Sequence, residues 1–270
     1  MSTILISGCS SGFGLLAALE FARQGDRVYA GVRNADSAGE LSGRAAAEQL
    51  AVEVVALDVN DPASVHECVS RVTSEAGGLD VLVNNAGIAT FAAVEDTDDD
   101  EVRHILETNV LGPLRLTRAV LPQMRAQGRG HIVMVSSVNG FIGLPFTGAY
   151  SASKFALEAL SEALTMELAT TGIRVTIIEP GPYHTAIDAK LASTKTSSSF
   201  PGMVDLVVAG RNAMASDHPE EVAGAIVTAA RSEQGPLRIR VGSIANQLYE
   251  ARRGMDDEAL FSQLMSTPTN

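Results

Sequence analysis

The sequence predicts an α/β protein: a doubly wound, mostly parallel sheet of seven strands with helices on both faces. Short β-branched runs alternate along the chain with longer segments rich in Ala, Leu and Glu. The composition is 46% hydrophobic but only 4% aromatic, which is typical of aliphatic cores rather than of aromatic-rich β-sandwiches. Alternating strands and helices favour parallel pairing through right-handed crossovers. No linker or internal repeat divides the chain, so we expect a single domain over residues 1–270.

The individual elements are predicted from apolar runs of strand length and from the longer Ala-rich segments between them. The predicted strands are residues 3–7, 27–32, 52–57, 79–83, 131–136, 174–179 and 237–241. Predicted helices include residues 14–24, 62–75 and 150–169, and a long helical stretch that reaches Met124. The acidic run at residues 95–101 precedes that stretch, and we expect its carboxylates to be solvated at a helix N-terminus. The chain after Gly254 is expected to be partly helical.

A long connection over residues 180–219 interrupts this alternation. It is rich in Ser, Thr and Gly, with scattered apolar residues. Connections of this length within a compact domain are often lids or binding loops. We therefore expect this segment to be the substrate-binding loop.

Charge and cysteine content disfavour several classes of function. The formal net charge is -12, and no cluster of Lys or Arg provides the basic face that nucleic-acid binding needs. Cys9 and Cys68 are far apart, so neither a disulfide framework nor a cysteine metal site is expected, which favours the reducing cytoplasm. No apolar run approaches the roughly 20 residues that span a bilayer, and no basic stretch indicates a signal peptide.

A glycine-rich turn follows the first predicted strand, over residues 7–14 with the sequence Ser-Gly-Cys-Ser-Ser-Gly-Phe-Gly. Glycines at a strand-to-helix turn let the backbone approach a pyrophosphate, whose charge the helix N-terminus stabilises. An ordinary glycine-rich turn is the alternative, but the position at the first strand–helix junction favours dinucleotide binding. Cys9 within the turn is interpreted as a small packing residue.

Tyr150 and Lys154 are the candidate acid–base pair. The chain has four tyrosines and three lysines against seventeen arginines, and these two are spaced i and i+4, on one face of a predicted helix. A phenol with a pKa near 10 needs a drop of about 3 units, or about 4 kcal/mol, to act near neutrality. An ammonium about 4 Å away supplies about that much at an effective dielectric near 20. A snorkelling lysine beside a packing tyrosine is the alternative.

The motifs taken together resemble those of the short-chain dehydrogenase/reductase family. The glycine spacing is G-x-x-x-G-x-G, with Ser7 in place of the family's Thr. Further matches follow in order along nearly the whole chain: Asp58-Val59, Asn84-Asn85-Ala86-Gly87, Asn109, Ser137, Tyr150-x-x-x-Lys154 and Pro180-Gly181. The resemblance implies a single Rossmann domain and hydride transfer between a nicotinamide dinucleotide and a carbonyl or alcohol.

The resemblance also implies a proton relay that needs no metal. Tyr150 is the acid–base residue, and Ser137, rather than its neighbour Ser136, orients the substrate oxygen. Asn109 is expected at a helix kink that holds a water linking Lys154 to solvent. Protons would then pass between the substrate and water through Tyr150, the ribose and Lys154. His184 is interpreted as a loop residue rather than as a second acid–base group.

Arg33 directs the choice of cofactor. Family members that select NAD carry a carboxylate at the end of the second strand, where this chain has Val32 followed by Arg33. A guanidinium binds a 2′-phosphate bidentately and stacks on adenine. We therefore predict NADP(H) rather than NAD(H), with a surface arginine at a strand end as the alternative.

Most of the cofactor contacts are implied by the resemblance. Asp58 is expected to accept a hydrogen bond from the adenine amino group, and the backbone near Tyr183 and the Thr185 hydroxyl to hold the carboxamide. The full predicted set is Gly8, Ser10, Ser11, Gly12, Phe13, Gly14, Arg33, Asp58, Val59, Asn85, Ala86, Gly87, Tyr150, Lys154, Pro180, Gly181, Tyr183 and Thr185.

The substrate is the least defined part of the prediction. The candidate pocket residues are mostly apolar, which favours a hydrophobic carbonyl or alcohol, as in the steroid and retinol branch, and a place in the core is the alternative for each of them. They are Phe91, Val138, Asn139, Phe141, Leu144, Phe146, Tyr183, Ile187, Leu191, Phe200 and Met203. Two other functions stay open, a non-catalytic NADP-sensing regulator on this fold and a nucleotide-sugar epimerase or dehydratase. Family members pair through the helices that here begin near Asp98 and Tyr150, which implies a homodimer or homotetramer.

Overall fold

The computed structural model describes residues 1–185, 199–200, 202–216 and 218–266. Its strands form one seven-stranded, entirely parallel sheet in the order β3-β2-β1-β4-β5-β6-β7. The strands are β1 (Thr3–Ser7), β2 (Arg27–Val32), β3 (Val52–Ala56), β4 (Val81–Asn84), β5 (Gly130–Val135), β6 (Ile173–Pro180) and β7 (Arg238–Val241). The strand order reverses between β1 and β4, and this confirms the doubly wound α/β prediction.

The helices connect these strands and cover both faces of the sheet. They are α1 (Gly12–Arg23), α2 (Gly39–Ala47), α3 (Pro62–Ala76), α4 (Asp99–Leu106), α5 (Gly112–Gln127), α6 (Gly148–Glu167), α7 (Met203–Met214), α8 (Glu220–Arg231), α9 (Ser243–Gly254) and α10 (Asp257–Ser266). The boundaries have local causes. The Asp61 carboxylate caps α3 by accepting from the backbone N–H of Ala63, and Gly77 ends that helix in a left-handed conformation.

Alternate residues of each inner strand supply two separate cores. Ile4 and Ile6 of β1 pack into a cluster with α1, α2 and α8, whereas Leu5 packs on the opposite face with α3, α5 and α6. Both faces of the sheet are therefore covered, which is why the strands are continuous apolar runs in the sequence.

The long helical stretch predicted to reach Met124 is divided. α4 and α5 are separated by a π-helical segment, Glu107–Leu111, that contains Asn109. The acidic run lies at the N-terminus of α4, as expected, and its residues 98–100 are exposed. The Asp98 side chain accepts a hydrogen bond of 2.7 Å from the backbone N–H of Glu101 there.

The predicted loop at residues 180–219 is not irregular throughout, since it contains α7. After Gly254, α10 follows α9, in agreement with the expectation of a partly helical tail. Within the described part of the chain, none of the helices combines the length and hydropathy needed to cross a bilayer.

Candidate active site

The glycine-rich turn lies at the carboxyl end of β1, beside the point where the strand order reverses. Gly8 has φ +75°, and a Cβ atom there would lie 2.8 Å from the Cα of Ala86. A Cβ on Gly14 would lie 2.4 Å from the Asn85 side-chain nitrogen and 2.5 Å from the Gly8 carbonyl oxygen. Both positions therefore require glycine, which keeps the turn close to β4 and its backbone open at the N-terminus of α1.

Ser7 and Asn85 fasten this turn to the end of β4. The Ser7 hydroxyl accepts hydrogen bonds from the backbone N–H groups of Asn85 (3.1 Å) and Ala86 (3.0 Å). In return, the Asn85 side chain donates to the carbonyl oxygens of Ser7 (2.9 Å) and Gly8 (3.1 Å). The Asn85 amide thus holds the turn itself. This role of Ser7 was missed in the sequence, although its match to the family's Thr was the available signal.

The remaining residues of the turn are distributed around the start of α1. Ser10 is exposed, and Ser11 is the N-cap residue, with an extended backbone. The Phe13 ring packs edge-on against Tyr183, with the ring centres 5.8 Å apart. A cleft of about 610 Å³ brings Ser11 and Gly12 together with His184 and Thr185.

Arg33 directly follows Val32, the last and fully buried residue of β2. Its own side chain is exposed. The neighbouring β2 residue Gly31 accepts backbone hydrogen bonds from Gly8 and Cys9, both of 3.0 Å. Arg33 therefore lies two residues after the Gly31 carbonyl that binds the glycine-rich turn, at the same edge of the sheet.

Asp58 and Val59 follow β3 on the other side of β2. The Asp58 carboxylate accepts a hydrogen bond of 2.9 Å from the backbone N–H of Asn60, which fixes its orientation. Val59 is buried against Gly112, where a Cβ would lie 2.9 Å away from it.

Tyr150 and Lys154 lie in the first two turns of α6. The Lys154 ammonium is 5.7 Å from the centre of the Tyr150 ring and donates a hydrogen bond of 2.8 Å to the Val135 carbonyl oxygen. Burial lowers the pKa of Lys154 to about 8, and the nearby Glu158 carboxylate opposes that shift. An ammonium has three donors, one of which is used by this hydrogen bond.

Ser137 comes directly after β5 and caps the short helical turn Val138–Gly140. Its hydroxyl accepts a hydrogen bond of 3.2 Å from the backbone N–H of Asn139. The Asn139 side chain donates to the hydroxyls of Thr147 (2.9 Å) and Ser151 (2.8 Å) at the start of α6. Asn139 therefore ties the turn with Ser137 to the helix with Tyr150.

Asn109 is buried in the π-helical segment and is fully hydrogen-bonded. Its side-chain oxygen accepts from the backbone N–H of Ile88 (2.9 Å), and its nitrogen donates to the Ile88 carbonyl (2.8 Å) and to the Ser153 hydroxyl (3.0 Å). A Cβ on Gly87 would lie 3.4 Å from the Asn109 side-chain oxygen and 3.8 Å from the Lys154 ammonium. The predicted helix distortion at Asn109 is present, and it joins the β4 end to α6.

The segment after β6 returns to the glycine-rich turn. Pro180 ends the strand, and the backbone N–H of Gly181 donates to the Val241 carbonyl (3.0 Å). Thr185 lies beside Gly12, where a Cβ would be 3.8 Å from the Thr185 Cβ. The Tyr183 ring is buried, and its hydroxyl donates a 2.8 Å hydrogen bond to Glu221. Tyr183 is thus a core residue, which is the alternative left open for each pocket candidate.

The aromatic candidates for the substrate pocket gather in a small third cluster. The Phe91 and Phe146 rings are 5.7 Å apart, and Phe200 packs against Phe146 at 6.1 Å. Met203, at the start of α7, packs on the same cluster. Among the other candidates, Val138 is buried and Leu144 is half-buried, Phe141 packs against Tyr249, and Ile187 and Leu191 lie outside the described residues.

The comparisons with known proteins agree with this arrangement. The family described as short chain dehydrogenase matches residues 2–196. The chain belongs to this family. A bovine (Bos taurus) retinol dehydrogenase 8 is 37% identical over 94% of this chain and 85% of its own. A 3-ketodihydrosphingosine reductase of Bacteroides thetaiotaomicron is 34% identical over 91% and 90%. The human (Homo sapiens) 17-beta-hydroxysteroid dehydrogenase type 1 is 37% identical over 88% and 76%.

Solved structures show the same fold. A short-chain dehydrogenase from Streptomyces avermitilis has a TM-score of 0.84 at 33% identity, covering 100% of this chain and 99% of its own. A gluconate 5-dehydrogenase from Burkholderia cenocepacia, in complex with NADP and tartrate, has a TM-score of 0.78 at 25% identity, covering 91% and 95%. This short-chain dehydrogenase is therefore an oxidoreductase that uses a nicotinamide cofactor. The close glycine contacts at the N-terminus of α1 fit such a dinucleotide, and the described residues contain no group of three potential metal ligands.

Proposed function

We propose that this chain is an NADP(H)-dependent oxidoreductase that interconverts a hydrophobic carbonyl compound and its secondary alcohol. One observation carries the proposal. The buried Lys154 ammonium lies 5.7 Å from the Tyr150 ring, on a helix that Asn139 ties to the turn bearing Ser137. In this proposal Tyr150 is the proton donor, Lys154 supplies the activating charge and Ser137 is the hydroxyl that orients the substrate.

The bound dinucleotide supplies or accepts the hydride. Tyr150 donates its phenolic proton to the carbonyl oxygen during reduction and takes a proton from the alcohol during oxidation. Ser137 orients that oxygen by a hydrogen bond. The Lys154 ammonium favours the ionised phenol by its positive charge, and Asn109 completes the relay by fixing the π-helical segment beside Lys154.

Turnover of a carbonyl panel tests this mechanism. NADPH oxidation would be followed by absorbance, with retinoid, 17-ketosteroid and 3-ketodihydrosphingosine substrates beside small polar ketones. Tyr150→Phe is expected to reduce kcat about 10²- to 10⁴-fold, the usual value of general acid catalysis. Tyr249→Phe is the matched control, because that ring packs on Phe141 and Arg240 instead. Unchanged turnover in Tyr150→Phe would refute the relay.

The same assay separates the two alternative functions. A non-catalytic NADP-sensing regulator would bind NADPH and turn over no member of the panel. An epimerase or dehydratase would convert a nucleotide sugar without net consumption of NADPH. The presence of both Tyr150 and Lys154 argues against the regulator, and the G-x-x-x-G-x-G spacing argues against the epimerase or dehydratase.

The preference for NADP(H) is proposed from Arg33, which is exposed next to the glycine-rich turn, and it is supported by relatives of known structure that hold NADP. Hydrogen bonds to a charged group contribute about 1.5–3 kcal/mol. Arg33→Ser should therefore raise the KM for NADPH about 10- to 100-fold and leave that for NADH nearly unchanged. Arg103→Ser, a surface arginine paired with Asp99 and Asp100, should change neither. An equal loss for both cofactors would contradict the role of Arg33.

A hydrophobic substrate is proposed from the cluster of Phe91, Phe146, Phe200 and Met203. The names of the relatives, which refer to retinol, hydroxysteroids and ketodihydrosphingosine, support the same class. Phe91→Ser and Phe146→Ser should raise the KM of the apolar members of the panel more than that of the small polar ketones. An equal increase for both groups would argue against an apolar pocket.

A homodimer or homotetramer is proposed from exposed apolar side chains at α6 and the π-helical segment: Leu111, Phe155, Leu160 and Met166. Light scattering on the wild type and on Leu160→Glu would test it, and a wild-type monomer would exclude it.

A cytoplasmic location is proposed because Cys9 and Cys68 are both free and buried, which suits a reducing compartment. Cell fractionation would test that location.

A further inference from the structure

Two buried carboxylates lie next to the proposed relay and have no part in it. Glu158 on α6 is 5% exposed, and Glu179 on β6 is 1% exposed. Arg238 of β7 contacts both, at 2.9 Å from Glu158 and 3.3 Å from Glu179. Arg240 contacts Glu179 at 3.3 Å. Buried charges are costly unless they are paired, so this cluster needs an explanation.

Glu158 is one helical turn beyond Lys154, on the same face of α6. One of its oxygens, Oε2, is bound to Arg238. The other, Oε1, is buried without a hydrogen bond that meets ordinary geometry. It lies beside the turn that follows Ser137, where a Cβ on Gly140 would be 3.0 Å from Oε1 and 2.7 Å from the Ser136 hydroxyl. The carboxylate therefore sits between Lys154, the Ser137 turn and β7.

We propose that Glu158 is a positioning residue of the relay: its buried carboxylate keeps the Lys154 ammonium charged beneath Tyr150, while Arg238 keeps Glu158 ionised. The inference rests on the proposed function, because the relay needs a charged Lys154 to activate Tyr150. Burial alone disfavours that charge, since it lowers the pKa of Lys154. Glu158 supplies the opposing negative charge from within α6.

Burial raises the pKa of Glu158, and its polar and charged neighbours oppose that shift. Arg238 and the Ser136 hydroxyl lower the pKa of Glu158 against the effect of burial. Burial and the charge of Glu158 raise the pKa of Glu179 to about 7. When Glu179 is protonated, Arg238 still pairs with Glu158 and with the more exposed Glu162 (2.6 Å).

The other elements packed on α6 bring no competing charge to Lys154. β5 contributes the Val135 carbonyl oxygen. In the π-helical segment, Glu107 is paired with Arg115. On α4, Arg103 is paired with acidic residues at the surface. Among the charged side chains of the described residues, Glu158 is thus the one whose field acts on Lys154.

Direct titration of Lys154 tests the proposal without any need for turnover. The chain has only three lysines, Lys154, Lys190 and Lys195, so full-length protein labelled with ¹³C-lysine gives three Cε signals by NMR. The signal absent from Lys154→Met assigns Lys154. Two charges about 6 Å apart at an effective dielectric near 20 interact enough to move a titration midpoint by about two pH units. Glu158→Gln should therefore lower the Lys154 midpoint by at least about one unit.

Glu162→Gln is the matched control, because Glu162 is one turn further along α6 and binds the same Arg238 but is half exposed. It should leave the Lys154 midpoint within about 0.3 units, while Glu158→Asp, which keeps the charge, should restore most of the wild-type value. If Glu158→Gln does not fold, Glu158→Met replaces it. An unchanged midpoint in the folded variant overturns the proposal, as does an equal shift in Glu162→Gln.

Kinetics then distinguish this inference from the proposed function. If the relay requires a charged Lys154, kcat/KM should fall at high pH once Lys154 loses its proton. In Glu158→Gln this fall should occur at lower pH, by the same shift as the NMR midpoint. Glu162→Gln should keep the wild-type dependence of kcat/KM on pH. A midpoint that shifts in a protein with no turnover on any substrate would refute the proposed oxidoreductase function and leave the Glu158–Lys154 coupling intact. A shifted midpoint with an unchanged kinetic profile would overturn the role of Glu158 in the relay.

Discussion

His131 lies at the start of β5, whereas Ser137 follows the other end of that strand. The imidazole of His131 is buried. One ring nitrogen, Nε2, is 2.9 Å from the Thr176 hydroxyl, and Nδ1 is 3.4 Å from the Ala230 carbonyl oxygen. The carbonyl can only accept, so the imidazole is interpreted as a neutral ring that carries its proton on Nδ1. Burial, together with the charge of Arg174, lowers the pKa of His131 to about 4.

This pKa makes the free energy of unfolding depend on pH. The unfolded chain protonates the histidine near pH 6.5, whereas the folded protein does so only near pH 4. Between these values the unfolded state binds more protons, so stability falls as the pH falls. The contribution of His131 should decrease by about 2 kcal/mol from pH 7.5 to pH 5.

Glu179 acts in the opposite direction over the same range. Its pKa is raised from 4.5 to about 7, so the folded state binds more protons between these values and stability rises as the pH falls. Because this effect is also about 2 kcal/mol, the two residues should largely cancel in the wild type. The contribution of each residue to the pH dependence of the unfolding free energy can therefore be measured only in a variant that lacks the other residue.

Urea unfolding at pH 7.5, 6.5 and 5 would measure both contributions. His131→Gln should gain about 2 kcal/mol relative to the wild type between pH 7.5 and pH 5, and Glu179→Gln should lose a similar amount. His66→Gln, at an exposed position of α3, should follow the wild type. If His131→Gln shows the wild-type dependence on pH, then His131 does not change its charge on unfolding, and the reasoning from burial is refuted.

Two further predictions concern the glycine-rich turn. Gly14→Ala places a Cβ against Asn85 and the Gly8 carbonyl and should weaken NADPH binding at least about tenfold by fluorescence titration. Gly43→Ala, whose Cβ has no atom within 4 Å, should bind normally, and normal binding by Gly14→Ala would contradict the steric argument. Ser7→Ala leaves two backbone N–H groups without an acceptor and should lower the free energy of unfolding by about 2–4 kcal/mol, while Ser7→Thr should retain it.

Much of the fold was predictable because its signals are local. A strand buried on both faces is a continuous β-branched run, and a glycine required by close backbone contact appears in the sequence as a glycine. The π-helical segment was harder to place. Asn109 stabilises it through hydrogen bonds to Ile88 and Ser153, which are 21 and 44 residues away, and only the resemblance to the family indicated a distortion there.

Residues whose roles depend on distant partners could not be predicted from the sequence. Glu158 has the appearance of a surface glutamate on a helix, and it becomes a buried group because β7 brings Arg238 to it from 80 residues further along the chain. Tyr183 could not be assigned to the pocket or to the core from the sequence, and it is Glu221 and Phe13 that hold its ring in the core. The substrate pocket is least predictable for the same reason.

The segment between Asn85 and Ile88 connects the cofactor end of the site to the chemical end. At its start, the Ser7 hydroxyl accepts from two of its backbone N–H groups. At its end, Ile88 is bound to Asn109 through both its N–H and its carbonyl. Asn109 donates to the Ser153 hydroxyl, which donates to the Tyr150 carbonyl at 2.6 Å. These hydrogen bonds, together with the backbone between Asn85 and Ile88, connect the glycine-rich turn to the backbone of Tyr150, the proposed proton donor. Because one short segment is bound at both ends, the position of Tyr150 relative to the glycine-rich turn is held by hydrogen bonds among described residues that lie outside the predicted substrate loop.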